Sequence, residues 1–262
     1  MCPDSCIAYT GPFAALDRCP KCQLPRYENV KGKRKPVKQY YTIPLGPMLQ
    51  ALWRTPEGAD RMRYRNHKTN KIMQQLNQNH GVIPIYEGVF HGLEYINAVL
   101  AGKIHPNDTL IFFSLDGAQL YRDKQSDCVF AIWVILNLNP EIRYKKKYVL
   151  PACFIPGPNN PDNTESFLLP SFRHVSALQK KGLKVWDGRQ QKLVVTRPFF
   201  CFGTADTVAL PILNGLVGHN GSAGCRIYCG MRGRHKPNQP MYYPAALKPN
   251  NYTVKGSDQE FK

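Results

Sequence analysis

The sequence predicts an α/β fold: a mixed sheet with flanking helices, preceded by a small cysteine-rich unit and a helical segment. Three observations lead there. Four cysteines fall within the first 22 residues in two close pairs. Apolar residues then recur at helical spacing in several stretches up to residue 100. From residue 109 the pattern changes to short runs rich in β-branched and aromatic residues, separated by turn signals. At 262 residues the chain can hold one large domain or a core with small satellites.

Residues 1–28 form the first unit, with Cys2, Cys6, Cys19 and Cys22 spaced C-x3-C-x12-C-x2-C. Two close pairs of thiolates suit tetrahedral Zn²⁺, and so small a unit has no core to hold it without a metal. Its expected role is structural first and nucleic-acid binding second. Residues 29–41 are expected to be a basic linker, because Lys31 to Lys38 includes Lys33, Arg34 and Lys35. That run reads equally as a nuclear-import signal, a phosphate-binding segment or a solvated connection.

Residues 42–105 are expected to be helical. Ile43 to Trp53 carries apolar residues at helical spacing, and Thr55-Pro56-Glu57 offers an N-cap, a first-turn proline and an early acid. Tyr86 to Leu100 gives a further short amphipathic pattern.

Residues 106–235 are expected to form the core. Strands are predicted at 109–115, 128–138 and 147–155. A helix follows, capped within Asp162–Glu165 and running to about Lys181, with Leu168, Phe172, Val175 and Leu178 on its apolar face. A strand at 183–187, a turn at Asp187-Gly188, a long run at 192–203 and a helix at 208–217 complete the core, and 236–262 is an irregular tail. Three strands, a helix, one or two strands and a helix is the connectivity of an RNase H-like core. There the first and fourth strands lie side by side, which would bring Asp116 and Asp206 together.

Charge narrows the function. Thirty-five Lys and Arg against eighteen Asp and Glu give +17, a field that favours polyanions, and nucleic acid is the commonest of these. No apolar stretch approaches the roughly 18 residues of a membrane span, so no membrane partner is expected. The N-terminus lacks a basic segment followed by an apolar one, so secretion is not expected either. No phosphate-cradling glycine loop is present, and no small-molecule cofactor is expected.

Asp116 follows an apolar run, where a buried carboxylate needs a metal or a catalytic task to offset its desolvation. With Asp206 it could hold Mg²⁺ or Mn²⁺ for phosphodiester chemistry. The alternatives are an Asp-Gly turn at Asp116 and a helix cap at Asp206, while Asp123 and Asp127 sit in a polar loop. Cys225 and Cys229 with His219 and His235 could form a second zinc site, or remain free thiols. Arg61, Arg63 and Arg65, and Lys145, Lys146 and Lys147, are candidate phosphate contacts interleaved with tyrosines; solvated faces would look the same. Cys128, Cys153 and Cys201 lie in apolar strands and read as core.

These residues also carry a family resemblance. The chain resembles the transposases of CACTA (En/Spm-like) DNA transposons, particularly those of mushroom-forming fungi. The likeness rests on Cys6-Ile-Ala-Tyr-Thr-Gly11 with Cys19-Pro-Lys-Cys22, Ile43 to Leu52, Met62-Arg-Tyr-Arg65, Ser114 to Tyr121, Ile155 to Pro161, and Gly224 to Cys229 with Tyr242-Tyr-Pro-Ala245. The resemblance implies an RNase H-like domain in which two aspartates and a glutamate bind two divalent metals. Asp116 falls on the first acid and Asp206 where the second should be. The third belongs on a later helix, and Glu260, the only late glutamate, sits in a polar tail. The resemblance therefore implies DNA as partner, self-association, a nuclear location, and an N-terminal piece of a transposase that is inactive alone. The competing reading is a non-catalytic, zinc-containing nucleic-acid-binding module.

Overall fold

Five strands build the central sheet of the computed structural model, which describes residues 1–119, 127–206 and 209–213 and short pieces at 220–222, 233–235, 238 and 241–243. The strands are β3 (Tyr41–Thr42), β4 (Thr109–Gln119), β5 (Asp127–Ile135), β6 (Leu150–Pro156) and β9 (Pro198–Ala205). Their order is β3-β6-β5-β4-β9; β9 runs parallel to β4 and every other neighbouring pair is antiparallel. Leu110, Ile111, Phe112, Phe113 and Leu115 of β4 are all buried. A strand covered on both faces gives a continuous apolar run rather than an alternating one.

Two differences from the sequence expectation matter for the site. The strand predicted to end at residue 115 continues to Gln119, because β5 pairs with it as far as Asp127. Pairing with β9 stops earlier, at Leu115 opposite Ala205. The run at 192–203 is two strands, β8 (Lys192–Thr196) and β9, broken at Arg197-Pro198. Proline cannot donate into a ladder, so the break falls there and the Arg197 carbonyl accepts the Thr109 N–H at 2.9 Å.

One face of the sheet is covered by α1 (Leu45–Trp53) and α6 (Thr164–Lys181). Rings of Phe113, Trp133 and Phe172 meet at centroid distances of 5.0–5.4 Å and join α6 to β4 and β5. On α6, Asn163 caps the Ser166 N–H at 2.9 Å, as its position predicts. Pro170 lies inside that helix and cannot bond the Ser166 carbonyl; the Thr10 hydroxyl donates to it instead. The cysteine unit thus supplies the bond that the proline removes.

The other face carries Leu110, Phe112, Val134 and Leu136, packed against α3 (Tyr64–Gln78) and α4 (Leu93–Leu100). Between α1 and α3 lies α2 (Pro56–Met62), begun by Thr55, whose hydroxyl accepts the Gly58 N–H at 3.1 Å. Among the described residues no helix packs on the half of this face beyond Phe112, where Ser114 and Phe130 are half-buried and Asp116 and Phe154 exposed.

Two hairpins flank the sheet. The basic stretch carries one, β1 (Tyr27–Val30) paired with β2 (Lys33–Pro36). Its turn residues Lys31 and Gly32 have φ of 51° and 75°, the left-handed pair that a two-residue hairpin loop requires. The other joins β7 (Leu183–Asp187) to β8.

Candidate metal centre and carboxylate pair

The sulfur atoms of Cys2, Cys6, Cys19 and Cys22 all lie within 4.8 Å of one another. Zn–S bonds of 2.3 Å in a tetrahedron set neighbouring sulfurs about 3.8 Å apart, so the four thiols could hold a metal such as zinc. Cys2 and Cys22 are already 3.3 Å apart. Local backbone turns aim the thiols inward. In the first knuckle Ser5 N–H donates to Cys2 C=O at 3.0 Å and Cys2 N–H to Ile7 C=O at 2.9 Å. In the second, Gln23 adopts φ 61° and its N–H closes on Cys19 C=O at 2.9 Å.

Electrostatics distinguishes the thiols. Burial, aided by neighbouring thiols, pushes Cys2 and Cys6 up. For Cys19 burial also works upward, but backbone N–H groups of Cys22 and Lys21 donating to its sulfur, with help from neighbouring thiols, hold it below the ordinary value. A cation would offset the desolvation that all these sulfurs share.

The unit is anchored to the start of α6. Ala8 N–H bonds the Ser166 hydroxyl at 2.9 Å, Asn163 N–H bonds Cys6 C=O at 2.9 Å, and Lys21 pairs with Asp162 at 2.7 Å. Met1 and Ala8 pack into the main core.

At the far end of β4, Asp116 and Asp206 are the residues immediately after the last registered pair of two parallel neighbours. Asp116 lies within β4, three residues before its end, and Asp206 is one residue past the end of β9. Both are exposed, which corrects the premise that Asp116 needs relief from burial. Asp206 performs its simpler role, capping α7 (Ala209–Leu213) through the Ala209 N–H at 2.7 Å. Asp116 opens no turn: it and Gly117 pair with Phe130 and Val129 inside β4, and its carboxylate accepts the Gly117 N–H at 2.8 Å.

The basic candidates separate into two kinds. Arg65 is buried and donates to the carbonyls of His105 and Pro106 at 2.7 and 2.6 Å. Arg63 is largely covered and pairs with Asp187. Neither guanidinium faces solvent as a phosphate contact would, a correction to the surface reading of that cluster. Arg61, Lys145, Lys146 and Lys147 are exposed, with Arg61 and Lys147 over the ring of Tyr148 at 6.0 and 5.7 Å. They lie at the end of the sheet opposite Asp116, since residues 144–149 lead into β6. On β2, Lys33, Arg34 and Lys35 are exposed, and Arg34 pairs with Asp17 and lies 4.0 Å from the Tyr27 ring centre.

Cys225, Cys229, His219, Asp123 and Glu260 lie outside the described residues; His235 is exposed, with its ring 5.0 Å from that of Tyr242. Cys153 is buried and Cys128 and Cys201 half-buried; burial pushes the Cys153 and Cys201 thiols up to about 12.

Two structural carboxylates escaped sequence reasoning. Asp187 is fully buried, pairs with Arg63, and accepts the N–H groups of Arg189 and Gln190 at 3.0 and 2.9 Å. Asp108 ties the starts of two strands together by accepting N–H groups of His105 and Arg197 at 2.8 and 3.1 Å. An acid directly before a strand or a glycine turn was the available signal.

Among the described residues no helix is long and apolar enough to cross a membrane. No protein-family model matches this chain, and no curated protein matches it.

Proposed function

We propose that the chain is a transposase-derived, DNA-binding protein with an RNase H-like core, in which Asp116 and Asp206 form part of a divalent-metal centre. The observation that carries this reading is the parallel pairing of β4 with β9 after an antiparallel β4-β5-β6 meander. That order brings β4 and β9 side by side, where the resemblance to CACTA transposases implies that Asp116 and Asp206 meet. Mg²⁺ or Mn²⁺ would take their oxygens and supply the charge that activates water and stabilises the leaving oxygen. Among the described residues no third carboxylate groups with these two, and cleavage by this chain alone is proposed to be weak or absent. Zinc on the four cysteines would be structural, fixing the unit that completes the start of α6. The nucleus is the proposed compartment.

A second reading has its own support. Both aspartates are exposed and make local backbone hydrogen bonds, as they would in a non-catalytic, zinc-containing nucleic-acid-binding module. Nicking of supercoiled DNA with Mn²⁺ separates the two. Residual nicking that Asp116→Ala removes, with DNA retention unchanged, supports the metal centre. DNA retention with no nicking above that of the variant supports the binding module.

A further inference from the structure

Cross-strand register places Tyr41, Phe154, Phe130 and Asp116 in one row, since each is the direct partner of the next. Direct partners project from the same face of a sheet. The row therefore runs from the β3 edge to the carboxylate pair, three strand spacings or roughly 14 Å. It crosses the half of the face that α3 and α4 leave open. Tyr41 is 64% exposed and Phe154 43%, while Phe130 is half-buried.

The setting of this row is basic. β2, with exposed Lys33 and Lys35, lies just ahead of β3 in the chain, and exposed Lys145, Lys146 and Lys147 lie just ahead of β6. The edge strand β3, which presents Tyr41, is thus approached in the chain through a cation cluster, whereas Lys145, Lys146 and Lys147 lie at the opposite end of the sheet; the whole chain carries a net charge of +17. Flat aromatic faces in so basic a chain match a strand of stacked bases with a phosphate backbone. An apolar protein partner would leave those cations uncompensated.

We propose that this row is a stacking platform for single-stranded DNA, which crosses the sheet from the β3 edge toward Asp116. Tyr41, Phe154 and Phe130 would each take one base, and Lys33 and Lys35 of β2 the phosphates. Open sheet faces of this size hold two or three bases on aromatic residues in single-strand-binding modules, and every base offers a π-face, so the platform would tolerate any sequence. The inference rests on the DNA-binding reading above and adds to it the route of the strand.

Fluorescence anisotropy of the full chain with a labelled oligothymidylate of about 15 nucleotides tests it, with a duplex of about 20 base pairs as the second probe. Tyr41→Ala and Phe154→Ala should each weaken oligothymidylate binding by about 5- to 100-fold, and Phe154→Tyr should retain it. Duplex binding should change far less. Both side chains are exposed, so folding should survive, which retained thermal midpoints would verify. Unchanged oligothymidylate binding in the alanine variants overturns the platform and leaves the DNA-binding reading intact. A wild-type chain that binds neither probe overturns both. Loss of self-association in the alanine variants would assign the row to a contact between copies and also overturn the platform.

Discussion

The cysteine unit and the carboxylate end of β4 were both expected to hold metal, and their residues are committed in different ways. Four sulfurs converge within 4.8 Å, three of the four cysteines are buried, and backbone hydrogen bonds close the turn at each cysteine pair. The two aspartates instead follow the last registered pair of β4 and β9, remain exposed, and already accept the N–H groups of Gly117 and Ala209. Convergence of four thiols on one point is itself an argument for a cation, because four close cysteine sulfurs are the ligand set of a tetrahedral zinc site. Adjacency of exposed ligands permits a cation without requiring one. Stability should therefore depend on the first site and chemistry on the second.

Stripping metal tests the first half of that contrast and has the largest expected effect. Structural zinc contributes on the order of 10 kcal/mol to folding of small cysteine units, so chelation or Cys19→Ser should melt the unit and lower the thermal midpoint of the whole chain. Zinc content measured by emission spectroscopy should be one ion per chain in the wild type and near zero in Cys19→Ser. Cys153→Ser, in the main core, should keep its zinc. If chelation leaves the melt unchanged, the stabilising role is wrong.

Carboxylates sharpen the comparison next. Asp187 is buried against Arg63, and removing one partner of such a pair costs about 3–5 kcal/mol. Urea denaturation should show a loss of that size for Asp187→Ala, whereas Asp116→Asn should leave the midpoint unmoved. Comparable losses for both would mean that Asp116 is also a structural acid.

A smaller effect concerns pH. His174 accepts the Gly46 N–H through Nε2 at 3.0 Å, joining α6 to α1, and burial lowers its pKa below 6.5. The unfolded chain therefore binds the proton more readily than the folded one. Its contribution is present above about pH 6.5 and is lost as pH falls through the lowered folded value. The ring is partly solvated, so the effect should stay under about 1 kcal/mol. Urea midpoints at pH 7.5 and 5.5 should differ more in the wild type than in His174→Gln.

How far the sequence foretold these regions follows from how local each signal is. The α6 boundaries were readable because Asn163 and the turn before it act within a few residues, and β7 emerged at 183–187 because its apolar alternation is self-contained. The hairpin at 27–36 was hidden because lysine, arginine and proline are poor strand formers, and the Lys31-Gly32 turn was its only cue. Burial of Arg63 and Arg65 could not be read, since a cation bound to carbonyls or to Asp187 has the same letters as one facing phosphate. The knuckle spacing announced the four cysteines directly. The row from Tyr41 to Asp116 is assembled from residues up to 113 positions apart and depends on register, which no local pattern encodes.

The claim that most needs a direct test is the metal centre at Asp116 and Asp206. Anomalous diffraction from crystals soaked in Mn²⁺ would provide it. A manganese peak within about 2.2 Å of oxygens from both carboxylates is the expected result. Carboxylates at full occupancy with no peak between them, while zinc is seen on the four cysteines, would contradict it and leave the binding module as the function of this chain.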